Sequence, residues 1–81
     1  MENSSSIAFV LIMCKPDSKI DIVDQLVEIT VVKEITLVEG PWRIIVKLES
    51  SDLNHIRDAI RWKLRKIIGI ESTLTLVEYM S

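Results

Sequence analysis

Apolar residues fall along this chain in two rhythms. An eight-residue run from Ile7 to Cys14, IAFVLIMC, is apolar throughout. Its β-branched and aromatic content predicts a strand buried on both faces. The polar stretch KPDS ends it, and Asp17 or Ser18 is placed to cap a helix. Ile20, Val23, Leu26 and Val27 then recur at helical spacing, with Asp21, Asp24, Gln25 and Glu28 on the other side. That pattern predicts an amphipathic helix of about three turns. Alternation returns over Val32 to Glu39 and over Trp42 to Glu49, two strands joined by the turn Gly40-Pro41. Ser50 or Ser51 is placed to cap a second helix, whose apolar stripe is Leu53, Ile56, Ile60, Leu64 and Ile67. Gly69 suits its C-terminal end, and Ile70 to Tyr79 reads as the last strand. Residues 1–6 are polar and expected to be a flexible N-terminus, leaving residues 7–81 as a single domain.

The order is β-α-β-β-α-β, and the chain echoes itself. ITLVEG at Ile35 to Gly40 recurs as LTLVEY at Leu74 to Tyr79, 39 residues later. Two copies are too few for a solenoid. They suit an α+β, ferredoxin-like βαββαβ fold: a four-stranded antiparallel sheet with both helices on one face.

Such a fold leaves the second sheet face bare. Of the 81 residues, 48% are hydrophobic, and whichever alternate set faces the helices, many residues of the other set are apolar too. A stable monomer does not leave several hundred Å² of contiguous apolar surface in water. The expectation is a homodimer that stacks sheet on sheet. Val10, Ile12, Ile44, Val46 and Leu74 are assigned to that interface. Trp62 falls opposite the apolar stripe of the second helix. It is read either as an anchor of a further interface, in a particle larger than a dimer, or as packed over the stems of Lys66 or Asp58.

Charge removes some functions. The net charge is −2, so the chain lacks the basic field of a nucleic-acid binder. The local basic stretch Arg57, Arg61, Lys63, Arg65 and Lys66 is offset by Asp52, Asp58 and Glu71, and reads as a solvated helix face. The single cysteine, Cys14, excludes an internal disulfide. No secretory signal or membrane span is legible, so the default location is the cytoplasm. Catalysis has no strong candidate: His55 is the only histidine, Cys14 reads as an inert buried thiol, and no carboxylate pair sits in an apolar setting. Metal and cofactor sites are not expected, because one His and one Cys cannot build an ordinary metal site and two glycines cannot build a phosphate loop.

From Ile29 to Tyr79 the order of motifs resembles the C-terminal effector-binding domain, or RAM domain, of the Lrp/AsnC transcription regulators. Gly40 matches the turn glycine and Trp42 the aromatic after it; Asp52-Leu53 opens the second helix; Gly69-Ile70 and Ser72-Thr73-Leu74-Thr75 match the motif entering the last strand. The resemblance covers about residues 7–79. It implies a ferredoxin-like fold that dimerises through its sheet, with dimers joining into tetramers, octamers or rings. It also implies small effectors, usually amino acids, held in clefts between dimers near the second β-turn. Ligand-binding candidates are therefore Gly40, Pro41, Trp42, Arg43, Ser72, Thr73 and Thr75. Arg43 stands where the family usually has an acid. An arginine there suits a carboxylate, whereas an acid would suit an ammonium. Full-length members carry an N-terminal helix-turn-helix domain, and this chain is expected to be a stand-alone form without it.

The leading reading is a non-enzymatic amino-acid-sensing and oligomerising module, acting by ligand-linked assembly or by association with a full-length Lrp/AsnC-type regulator. The alternatives are a ligand-independent assembly or interaction module and a small dimeric ferredoxin-like enzyme.

Overall fold

A computed structural model of the chain describes residues 5–78. Four strands, β1 (Ser6–Cys14), β2 (Val32–Leu37), β3 (Ile44–Ser50) and β4 (Ile70–Val77), form one sheet in the order β2-β3-β1-β4. All three pairings are antiparallel. Two helices, α1 (Lys19–Leu26) and α2 (Leu53–Trp62), supply the crossovers. This is the expected split βαβ arrangement, with β1 and β3 in the centre and the echoed segments at the two edges. Residues 1–4 of the expected flexible N-terminus, and Tyr79 of the last strand, lie outside the described residues.

Alternation along β1 and β3 sorts the side chains. Ala8, Val10, Ile12 and Cys14 point to one face with Ile44, Val46 and Leu48, and all are buried. Ile22, Leu26, Ile56, Ile60 and Leu64 close over them from the helices and the 3-10 turn Leu64–Lys66 that follows α2. The assignment of Val10, Ile12, Ile44 and Val46 to an oligomer interface is therefore corrected. They are 0% exposed within one chain, because theirs is the set the helices cover. The bare face carries the other alternates: Ile7, Phe9, Leu11 and Met13 of β1, Ile45, Lys47 and Glu49 of β3, and Ser72, Leu74 and Leu76 of β4, so its apolar part lies over β1 and β4. Leu74 and Leu76 are 44% and 50% exposed, so Leu74 alone of the five sheet residues assigned to the interface lies on that side.

The stripe expected for α1 is rotated. Ile22 and Leu26 are buried, and Ile29 continues their line beyond the helix, whereas Ile20 and Val27 are exposed. Only the first line meets the sheet. A 3-10 turn, Pro16–Ser18, leads into α1, and Ser18 stands at its N-cap without a side-chain capping bond. For α2 the cap is Asp52, not Ser50 or Ser51: Asp52 Oδ1 accepts from Asn54 N at 2.9 Å. Ser50 instead accepts from Asp52 N through its hydroxyl. Gly69 has φ +107°, the left-handed backbone that ends the helical segment and turns the chain into β4.

The internal echo is not a repeat of environment. Ile35 pairs with Val46 and so points toward the helices, while its counterpart Leu74 pairs with Leu11 and points away. A bulge in β2 between Val32 and Glu34 shifts the register just before the echoed segment. A one-residue offset moves every side chain to the opposite face.

Ile12→Ala is expected to destabilise the fold by about 2–5 kcal/mol, measured by chemical denaturation, because it empties part of a closed core. Leu76→Ala, on the bare face, is expected to cost about 1 kcal/mol or less at concentrations where the chain is monomeric.

Candidate functional site

The candidate ligand residues come together at one end of the sheet, with one exception. Gly40 has φ +123°, which lets the β2–β3 connection reverse tightly, and a side chain there would meet open space. Val38 N donates to Arg43 O at 2.9 Å, closing the turn. Arg43 N donates to Ile12 O at 2.9 Å, and its Nε donates to Cys14 O at the same distance. The turn is thereby tied to the end of β1. On the far side of β1, Ser72 pairs with Met13 and Thr73 with Ile12. Arg43 and Thr73 thus flank the same residue, two strand spacings or roughly 10 Å apart.

Arg43 is half-buried, with one of its five donors already committed to a backbone carbonyl. Its remaining nitrogens still suit a carboxylate. Trp42, beside it, is half-buried as well. Ser72 turns to the bare face with Met13, and Thr73 to the helix side with Ile12. Thr75 is the exception in position: it pairs with Val10, two residues farther along β4, and is also on the helix side. There it joins Leu53, Ile56, Ile60 and Val77 in a groove of ≈ 300 Å³ rimmed by Arg57, Arg61 and Arg65. Sequence reading had taken these arginines as a solvated face. The signal for grouping them was their spacing of four, with Asp58 falling on the other side of α2.

That other side holds a second groove, of ≈ 370 Å³, between α2 and the α1–β2 connection. Its apolar wall is Ile29, Val31, Ala59 and Trp62, and its polar rim includes His55, Asp58 and Lys63. Trp62 is 57% exposed. Lys66 Nζ lies 5.5 Å and the Arg61 guanidinium 6.0 Å from its ring centroid, so the indole carries cationic neighbours of the kind expected for Lys66.

His55 and Cys14 have separate surroundings. His55 is exposed at the start of α2, with Nδ1 3.3 Å from Ser50 Oγ and Nε2 3.8 Å from Asp52 Oδ2. These contacts knit the helix start together. Cys14 is buried, and burial pushes its thiol above the ordinary value; the nearby Arg43 charge only partly opposes this. A thiol held protonated is a poor nucleophile.

The folded state keeps the Cys14 proton at a pH where the unfolded chain releases it. Stability is therefore expected to fall as pH rises through 9.0 toward the raised value, and Cys14→Ala should lose that part of the alkaline dependence in denaturation titrations.

Comparison with known proteins follows the same lines. The family model for the Lrp/AsnC ligand binding domain matches residues 7–79. An uncharacterised HTH-type transcriptional regulator of Pyrococcus horikoshii is 33% identical over 82 residues, 98% of this chain and 55% of its own length. The chain thus spans about half the length of the curated relatives it matches. Among solved structures, FFRP-DM1 superposes with a TM-score of 0.83 at 28% identity, over 91% of this chain and 99% of that one. A Neisseria meningitidis transcriptional regulator, solved in complex with L-Met, superposes with a TM-score of 0.79 over 93% of this chain and 50% of that one. At 13% identity that likeness is one of fold.

Proposed function

The chain belongs to the Lrp/AsnC ligand-binding domain family, and from that we propose that it senses a small molecule, an amino acid first of all, by linking its binding to self-assembly. The observation that carries this reading is the bare sheet face. Phe9, Leu11, Leu74 and Leu76 lie side by side across β1 and β4, with Ile45 beyond them on β3. Burying such a face contributes roughly 25 cal/mol for each Å² of apolar surface removed from water. A second copy, stacked sheet on sheet, is the partner whose surface matches. Trp62, on the helix side, is free to meet a further copy, so dimers can add to one another.

The sensing half of the reading rests on the sheet end. The Gly40-Pro41 turn, Trp42 and Arg43 form one wall there, and Ser72 and Thr73 stand across β1. A ligand held between copies would complete the enclosure. Arg43 would take the carboxylate of an amino acid with the donors that Cys14 O leaves free. Because Arg43 replaces the acid usual at this place in the family, the ammonium would need a partner elsewhere, and an acidic effector is the natural alternative. The Neisseria regulator's L-Met supports amino acids as the class to try first. The role is regulatory and needs no chemical step. Its target is either the chain's own assembly or a full-length Lrp/AsnC-type regulator that presents the same sheet face.

The test is light scattering coupled to size exclusion, with and without each amino acid, together with thermal unfolding. The expected result is a dimer or larger particle. One ligand should raise the unfolding temperature, with about 2.7 kcal/mol of added stability at a hundredfold excess over its dissociation constant. Arg43→Ala should abolish that shift while leaving the dimer. A monomer at micromolar concentration would overturn the assembly reading. A fixed dimer indifferent to every amino acid would leave an interaction module without a ligand.

A further inference from the structure

The ends of the sheet differ in how they are guarded. An edge strand exposes a row of unpaired N–H and C=O groups, and natural sheets blunt such edges with lysines, prolines or bulges. The β2 edge has Lys33 and a bulge at Val32/Glu34. The β4 edge, Ile70–Val77, has neither Lys nor Pro, and its single irregularity lies at its start, opposite Met13/Cys14. Glu78 N donates to Ile7 O at 2.8 Å. Antiparallel alternation from that bond directs the backbone groups of Leu74 and Leu76 toward β1, and those of Thr73, Thr75 and Val77 outward to the open edge.

Three arginines overlook this edge. Arg57, Arg61 and Arg65 rim the groove that Thr75 and Val77 floor, in a chain whose net charge is −2. None of the three is in an ion pair among the described residues, where the sole charged contact of that kind is His55 with Asp52. Positions four apart on a helix are separated by about 6 Å along its axis. Side chains on one face of a strand recur every 6.4–6.8 Å or so. Arg57 and Arg61, both on α2, therefore have nearly the repeat of alternate residues on an added strand, and Arg65, in the 3-10 turn after the helix, continues the rim.

We propose that the α2–β4 edge is a docking site for an acidic, extended segment of a partner protein. The segment adds to β4 as a fifth strand, through the outward backbone groups of Thr73, Thr75 and Val77. Its alternate carboxylates turn to the helix side and meet Arg57, Arg61 and Arg65, while the intervening side chains extend the apolar row of Leu74 and Leu76. Backbone pairing supplies the general affinity, and the arginines select acidic residues at every second position. The site shares Thr73 with the proposed effector-binding end, through its backbone here, but its other groups lie away from the Gly40–Arg43 turn, and it stands whether or not that turn binds an effector.

The test uses the whole chain and a fluorescein-labelled probe peptide, Glu-Val-Glu-Val-Glu-Val-Glu, followed by anisotropy. Saturable binding is expected, with slowed amide exchange at Thr73, Thr75 and Val77. A control peptide of the same sequence with every interior amide N-methylated keeps the charge but loses its N–H donors in either strand direction; it should bind at least tenfold more weakly. The combined reversal Arg57→Glu, Arg61→Glu and Arg65→Glu, checked for folding by circular dichroism, should weaken the probe at least tenfold, and a peptide with Lys for Glu should then regain affinity. Failure of the probe to bind overturns the proposal. Equal binding of the N-methylated peptide reduces the groove to a charged surface, and displacement of the probe by equimolar inorganic phosphate reduces it to a small-anion site; either overturns strand addition. A change of particle size on charge reversal, with no probe binding to the parent chain, assigns the edge to a second copy instead.

Discussion

Two helices can cover only one face of a four-stranded sheet, and the rest of this structure follows from which alternate residues they cover. In β1 and β3 the covered set is Ala8, Val10, Ile12, Cys14, Ile44, Val46 and Leu48, all aliphatic or small. The uncovered set keeps the longer side chains Phe9, Leu11 and Met13. The helices close over Val10 and Ile12 with no buried polar side chain among the described residues. The cost is a second apolar face. Association with a matching surface would cover it.

The same constraint explains how the sheet end is built. Because β1 lies between β3 and β4, its last residues offer carbonyls to both sides. Ile12 O and Cys14 O are taken by Arg43, and the strand's other flank pairs with Ser72 and Thr73. One strand end therefore positions two segments that are about thirty residues apart in sequence. Arg43 also anchors the turn that carries it. Exchanging it changes both the chemistry offered to a ligand and the stiffness of the turn.

The helix α2 has two working sides. One carries Trp62, with Arg61 and, from the following 3-10 turn, Lys66 near its ring; the other carries Arg57 and Arg61, which Arg65 of that turn continues along the open edge. Surface charge that averages to little over the whole chain is thus sorted by helical geometry into a basic rim and a mixed groove. Assembly through the bare sheet face would leave both sides accessible, since helices and bare face point in opposite directions.

The sequence by itself determined the element order, the split βαβ topology and the family. These follow from local rules: period two or 3.6 in the apolar residues, glycine where the backbone turns left-handed, and motif order from Gly40 to Thr75. It also marked the buried stripe of α2 and the residues at the sheet end. Which face each strand turned to the helices was decided only by tertiary structure. In β1 both alternate sets are apolar, so that strand alone carries no vote; in β3 the set Ile45, Lys47 and Glu49 is the more polar one, yet only the pairing of β1 with β3 ties Val10 and Ile12 to Val46 and Ile44, and these four were assigned to the wrong side. The rotation of α1 was undecided for the same reason, since Ile20, Ile22, Val23, Leu26 and Val27 surround most of that helix. The echo of ITLVEG in LTLVEY pointed rightly to two βαβ halves, but Ile35 and its counterpart Leu74 face opposite sides of the sheet, which the repeat alone does not say. A period fixes which residues travel together; only packing against a second layer fixes where they point.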